Sequence, residues 1–226
     1  MFGLDEWIAH LSDGTTFAVV IGVAVVLGLR HASDPDHLAA VTTLVASGRG
    51  HGARVAGRLG ATWGLGHATS LFVFGLPIVL YRAYLPEVVQ RGAETAVGVM
   101  IVALAVWLLV RWRRGVFRIH AHPHGLRTRS PLQAYLIGLV HGVGGSAGVG
   151  VLVIAAIPRH TLALVALGLF AAATAVSMTL LSSGFGLTLS SAPARRSFAR
   201  LAPVLGIAAL AFGVWYAAAA ARLWYL

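Results

Sequence analysis

The chain has 226 residues, 58% of them hydrophobic and 11% charged, with a net charge of +10. That apolar fraction excludes an ordinary soluble domain. The positive charge is not a nucleic-acid face, because the arginines cluster in short stretches between apolar runs. There is no Cys, which excludes a disulfide framework and a thiolate metal site, and Met is too scarce for a thioether site suited to Cu(I). The N-terminal stretch, with Asp5, Glu6 and Asp13, lacks the basic segment and cleavage site of a signal peptide.

Six apolar spans are predicted in chain order: about Thr16 to Ser47, Leu59 to Tyr81, Ala93 to Arg111, Leu132 to Ile157, Leu162 to Leu189, and Leu201 to Leu223. The chain therefore reads as an all-α polytopic membrane protein, one transmembrane domain over residues 1–226. Arg49, Arg54 and Arg58 follow the first span, Arg111 to Arg129 the third, and Arg195, Arg196 and Arg200 the fifth. The opposite side carries only Arg82, Arg91, Arg159 and Arg222. The positive-inside rule then puts both termini outside the cytoplasm.

The first span contains His31-Ala-Ser-Asp34-Pro35-Asp36-His37. The apolar run before it, Phe17 to Leu29, reaches only about 20 Å as helix, short of a hydrocarbon core of roughly 30 Å. The crossing has to continue through the polar cluster into Leu38 to Ala46. Ionisable groups at such depth are expensive and usually functional. Pro35 disfavours helical geometry at Asp34 and is suited to open a new helix with Asp34 as N-cap. Two geometries fit: two half-helices broken near Ala32 to Pro35, or one kinked helix. On a regular helix His31, Asp34 and His37 share a face, while Asp36 joins them only if the helix breaks.

The two halves read as a repeat. Gly28-Leu29-Arg30-His31 matches Gly138-Leu139-Val140-His141, and Gly98 to Trp107 matches Gly206 to Trp215. With three spans in each half, residues 17–112 and 132–224 take opposite orientations. The expected fold is a 3+3 inverted repeat whose first helix breaks at the His/Asp motif, a transporter pattern. The basic linker 112–131 joins the halves and carries His120, His122 and His124. Alternating His can hold a divalent ion loosely, but the surrounding Arg oppose a cation, so the segment is read as a solvated linker.

Measured from the predicted cytoplasmic ends, His37 lies about 15 Å deep, His67 about 12 Å and His141 about 14 Å. His31 lies about a turn further out. Imidazole with carboxylate suits Ni²⁺, Co²⁺ or Zn²⁺, and two Asp offset the charge that a dry site has to hold. The candidate metal ligands are His31, Asp34, Asp36, His37 and His67. His141, Ser146, Ser177 and Arg30 are further candidates for lining the same cavity. For a lone His67 or His141, a helix-packing hydrogen bond is the plain alternative. Ser146, Ser177, Thr179, Ser182 and Ser183 read first as small helix-packing residues. Ser177, however, falls 110 positions after His67, the spacing of a repeat equivalent. Arg30 either pairs with Asp34 or Asp36, or extends to the interface.

His31-x4-Asp36-His37, preceded by Arg30 and followed by Leu38-Ala39-Ala40, resembles the signature of the nickel/cobalt transporter family, RHAxDADHI. Leu65-Gly66-His67-Ala-Thr-Ser resembles that family's second His-containing motif. Pro35 in place of the usual Ala, with His141-Gly-Val-Gly-Gly-Ser146-Ala, is similar to the short urease-accessory (UreH-type) membrane proteins of the same superfamily. The resemblance implies transport of Ni²⁺ or Co²⁺ across the bacterial inner membrane, with His31, Asp36, His37 and His67 in the ion path. It also implies a link to urease or hydrogenase maturation. The metal is cargo, not a cofactor. Six spans, where many permeases of the family have eight, leave substrate and direction open.

The leading function is thus a Ni²⁺/Co²⁺ permease and not an enzyme. With no Lys and no GxxxxGK[ST] loop, the chain has no phosphate-binding motif for ATP. A 2+ ion entering at −100 mV gains about 4.6 kcal/mol, enough to drive uptake. The alternatives are an exporter of the same fold, an intramembrane metal-dependent hydrolase, or a maturation scaffold. The hydrolase lacks HExxH and any Glu near mid-membrane.

Overall fold

The computed structural model describes residues 4–46, 52–81, 86–115, 130–144 and 147–222. Among the described residues there are eight helices and no strand: α1 (Leu4–His31), α2 (Pro35–Ala46), α3 (Ala53–Tyr81), α4 (Glu87–Arg113), α5 (Pro131–Val143), α6 (Ala147–Ala155), α7 (His160–Thr188) and α8 (Ala192–Arg222). Helices α3, α4 and α7, and Arg196–Ala221 of α8, are each long and apolar enough to cross a bilayer. Phe17–His31 and Pro35–Val45, bent by 52° at the break between them, are together long and apolar enough for a fifth. The expected linker histidines His120, His122 and His124, and Ser146, lie outside the described residues.

The bend falls where proline places it. The Ser33 N–H donates to the Arg30 carbonyl and the Asp34 N–H to the His31 carbonyl, at 2.8 and 3.1 Å. These are tight three-residue closures that end α1. Pro35 then opens α2, where its missing N–H costs nothing. The Asp34 carbonyl accepts from Leu38, as a cap position should. The expected capping role of the Asp34 side chain is not what it does here: its carboxylate faces His31 at 3.2 Å and Arg30 at 3.8 Å.

A second interruption was not expected. The predicted continuous span from Leu132 to Ile157 is divided into α5 and α6, which at 13 and 9 residues are each too short to cross alone. Ser130 caps α5 through a reciprocal bond with Gln133, and Pro131 is its first residue. Gly144, with extended backbone (φ −130°, ψ −175°), ends it. The Gly144-Gly145 pair is poor helix text, and at Gly144 a Cβ would press on the Ala93 backbone of α4.

The main helix pairs are α3 with α7, α3 with α5, α4 with α8, and α1 with α7. Small residues set these crossings, as lipid-embedded helices require. Gly138 of α5 lies against the Trp63 carbonyl of α3, and Gly28 of α1 against the Phe170 carbonyl of α7. Two hydroxyls add matching bonds: Ser70 on α3 donates to the Leu139 carbonyl (2.6 Å), and Ser177 on α7 to the Leu29 carbonyl (2.8 Å). Large apolar side chains such as Val26, Val73, Leu180 and Ile207 face outward, as they do toward lipid. Arg54 and Arg58 lie in the first turns of α3, Arg111 and Arg113 at the end of α4, and Arg196 and Arg200 near the start of α8. The Trp112 indole donates to the Ala199 carbonyl, which ties the end of α4 to the start of α8. Arg111 is buried, with its guanidinium 4.7 Å from the Trp107 ring.

Candidate metal centre

The break between α1 and α2 turns three polar side chains inward. His31 ends α1, and Asp36 and His37 occupy the first turn of α2. His67 comes from the middle of α3 and His141 from the last turn of α5. All five are buried, His67 and His141 completely. The break is what lets Asp36 join the group, since on an unbroken helix it points away from His31 and His37.

The geometry is close. His31 Nε2 and His67 Nε2 are 3.1 Å apart. The Asp36 carboxylate accepts from His37 Nδ1 (3.1 Å) and from His141 Nε2 (3.0 Å). His31 Nδ1 lies 3.2 Å from Asp34. Each imidazole that gives one nitrogen to a carboxylate leaves the other bare for a metal. His37 Nε2 and His141 Nδ1 are indeed buried with no hydrogen-bond partner, and so is His67 Nδ1, whose other nitrogen faces His31. Leaving such atoms unpaired in a dry interior is costly unless a ligand satisfies them. Two nitrogens held at about 2.0 to 2.1 Å by one metal ion stand about 3 Å apart when adjacent in its shell, the separation of His31 and His67. Donor atoms of His31, His37 and His67 all lie within 4.8 Å of one another, as do those of Asp36, His37 and His141.

The remaining sequence candidates divide. Asp34 stands at the edge of the group, half-buried and bonded to His31. Arg30 pairs with Asp34 at 3.8 Å, but its side chain is 73% exposed, so the pair is weak. Ser177 is spent on the Leu29 carbonyl and is not part of the cavity wall. Its bond is like that of Ser70 to the Leu139 carbonyl, and the close approach of His67 to Gly138 has a like at Gly28 in Thr174.

A cavity of about 380 Å³ reaches the group where α1 and α2 meet, walled in part by α6, α7 and α8. His31, Asp34 and Asp36 line it together with Phe212, Trp215 and Tyr216. Sequence reasoning missed these aromatics of α8. It also missed Trp63, whose ring stands 5.5 Å from His37 and 5.8 Å from His141. A signal for Trp63 existed: it precedes His67 by four residues and so shares its helix face.

Several apolar helices around a buried imidazole and carboxylate group define a multi-pass membrane protein with a site suited to borderline divalent cations. Residues 17–135 match the NicO family, described as high-affinity nickel-transport protein, and the chain belongs to that family. The family is one of transporters, not enzymes. The chain is also 26% identical over 215 residues to the urease accessory protein UreH of Bacillus sp. (strain TB-90), covering 90% of this chain and 92% of that one. No solved structure matches it.

Proposed function

We propose that this protein is a permease for Ni²⁺ or Co²⁺ in the bacterial inner membrane, with His31, Asp36, His37 and His67 as the ligands that take the ion and Asp34 guiding it from the cavity. The observation that carries this reading is the convergence of buried His31, Asp36, His37 and His67 at the break between α1 and α2, with partnerless nitrogens on His37 and His67. A divalent ion gains enough from an inward-negative potential to enter without further coupling, about 4.6 kcal/mol at −100 mV. Nickel is the favoured cargo, given the family, and the likeness to UreH suggests that the ion is destined for a nickel enzyme such as urease.

The architecture we assign is a single transmembrane domain of six crossings, with α1–α2 and α5–α6 as two broken spans and both termini outside the cytoplasm. The arginine-bearing ends of α3, α4 and α8 support that orientation. Support for a 3+3 inverted repeat comes from contacts with exchanged partners. Ser70 on the Leu139 carbonyl answers Ser177 on the Leu29 carbonyl, and Gly138 on α3 answers Gly28 on α7. The site then sits where the halves meet, so rocking of one half on the other would expose it to each side in turn.

Flux into proteoliposomes, measured with Ni²⁺, Co²⁺ and Zn²⁺ and an imposed potential of either sign, tests the function. Potential-driven Ni²⁺ or Co²⁺ entry above that of empty vesicles is expected. No flux of any of the three ions overturns the reading, and flux only outward against the potential makes it an exporter. Pro35→Ala is expected to retain measurable flux and to change the ratio of Ni²⁺ to Co²⁺ transport more than the amount of inserted protein. Unchanged rate and selectivity would take the helix break out of the mechanism.

A further inference from the structure

We propose that the metal path holds two overlapping cation positions that share His37, and that His141 with Asp36 forms the second. This rests on the reading of the chain as a transition-metal permease. The donors fall into two groups, His31/His37/His67 and Asp36/His37/His141. His37 stands between them: its ring centre is 4.5 Å from that of His31, 5.1 Å from His67 and 4.3 Å from His141. A metal ion sits about 2 Å from each nitrogen, so donor atoms on opposite sides of it stand about 4 Å apart. The donor atoms here gather within 4.8 Å of one another as two sets of three, and one ion takes one set at a time.

The two positions differ in place and in charge. The first lies beside Phe170, whose ring is 5.6 Å from His31. The second lies beside Trp63, which touches His37 and His141. Trp63 is one turn, about 6 Å, nearer than His67 to the arginine-bearing start of α3. The first position offers three imidazoles and no carboxylate, while the second offers Asp36. An ion thus moves along the helix axis by exchanging His31 and His67 for Asp36 and His141 while His37 stays bound. Passage requires that neither position hold the ion too tightly, and a shared ligand meets this by never leaving the ion bare. Each group also holds a buried nitrogen with no hydrogen-bond partner, His67 Nδ1 in the first and His141 Nδ1 in the second, so each has a donor atom available to an ion.

The test uses full-length protein, with Ni²⁺ binding measured by calorimetry in detergent and Ni²⁺ flux in proteoliposomes. Thermal melting confirms that each variant is folded. Wild-type protein must bind and carry Ni²⁺; failure there overturns the permease reading itself and this inference with it. Given that, His141→Asn is expected to bind Ni²⁺ with near wild-type affinity at the first position but to lose flux by at least about tenfold, the low end of what losing a metal-site partner costs. His67→Asn and Asp36→Asn should each lose affinity and flux together, since His67 is a ligand of the first position and Asp36 also holds the shared His37. If His141→Asn lowers affinity and flux in equal proportion, there is one site and the hand-over is wrong. If it leaves flux unchanged, His141 is a packing partner and the second position does not exist.

Discussion

His37→Ala is expected to abolish Ni²⁺ flux and to weaken Ni²⁺ binding by more than about 100-fold, beyond what the loss of an outer partner of a metal site costs. The reason is positional. His37 is fully enclosed, its Nδ1 bonds Asp36 at 3.1 Å, and its Nε2 is bare. The carboxylate bond fixes the ring and its tautomer, which leaves the second nitrogen aimed at the other imidazoles. His37 is also the member common to both donor groups, so no subset of the remaining residues replaces it. The variant should still insert, because its helix contributes apolar contacts through Val41, Leu44 and Val45 that the substitution does not touch. His124→Ala, in the basic linker, is expected to leave flux unchanged. Flux of both variants and the amount of each in the membrane check this. Equal losses in the two, or normal binding by His37→Ala, would remove His37 from the ion path.

Much of this site was legible because the bilayer is an unforgiving solvent. A His and Asp cluster inside an apolar run has few ways to be satisfied, so His31, Asp36 and His37 declared themselves, and Pro35 marked the break that turns them inward. His141 was harder to read. A single histidine in an apolar span also fits a plain packing bond, and only the fold shows it reaching Asp36 across α2 and α5 at 3.0 Å. The break after α5 escaped the sequence because no proline announces it. Gly144 merely permits it, at a point where the α4 backbone passes too close for a side chain. Ser177 illustrates a related difficulty. The spacing of 110 comes from the Gly28 and Gly138 stretches, whereas Ser70 and Ser177 make like bonds, to the Leu139 and Leu29 carbonyls, at a spacing of 107. A register in apolar text drifts by a turn without altering the pattern of hydrophobic residues, and hydrogen bonds between helices are what fix it.

Gly138→Ala is expected to destabilise the protein by about 2 to 3 kcal/mol, the upper range for overpacking a closed interior, and to reduce Ni²⁺ flux with it. A Cβ at this position would collide with the Trp63 carbonyl and come within 2.8 Å of the His67 nitrogen. Both are main-chain atoms of one helical turn of α3, so no side chain can swing aside to make room. Helix α5 would have to move off α3. Those two helices carry His141 and His67, and the shift would open the spacing on which the proposed metal centre depends. The hydroxyl bond from Ser70 to the Leu139 carbonyl, at 2.6 Å, would lengthen in the same movement. Gly148→Ala supplies the control, since nothing lies within 4 Å of a Cβ there and alanine is the better helix former. Thermal melting in detergent should place Gly138→Ala well below wild type and Gly148→Ala at or above it. A Gly138→Ala variant as stable and as active as wild type would mean that α3 and α5 do not approach this closely, and the spacing between His67 and His141 would then have to be set by something other than the glycine contact.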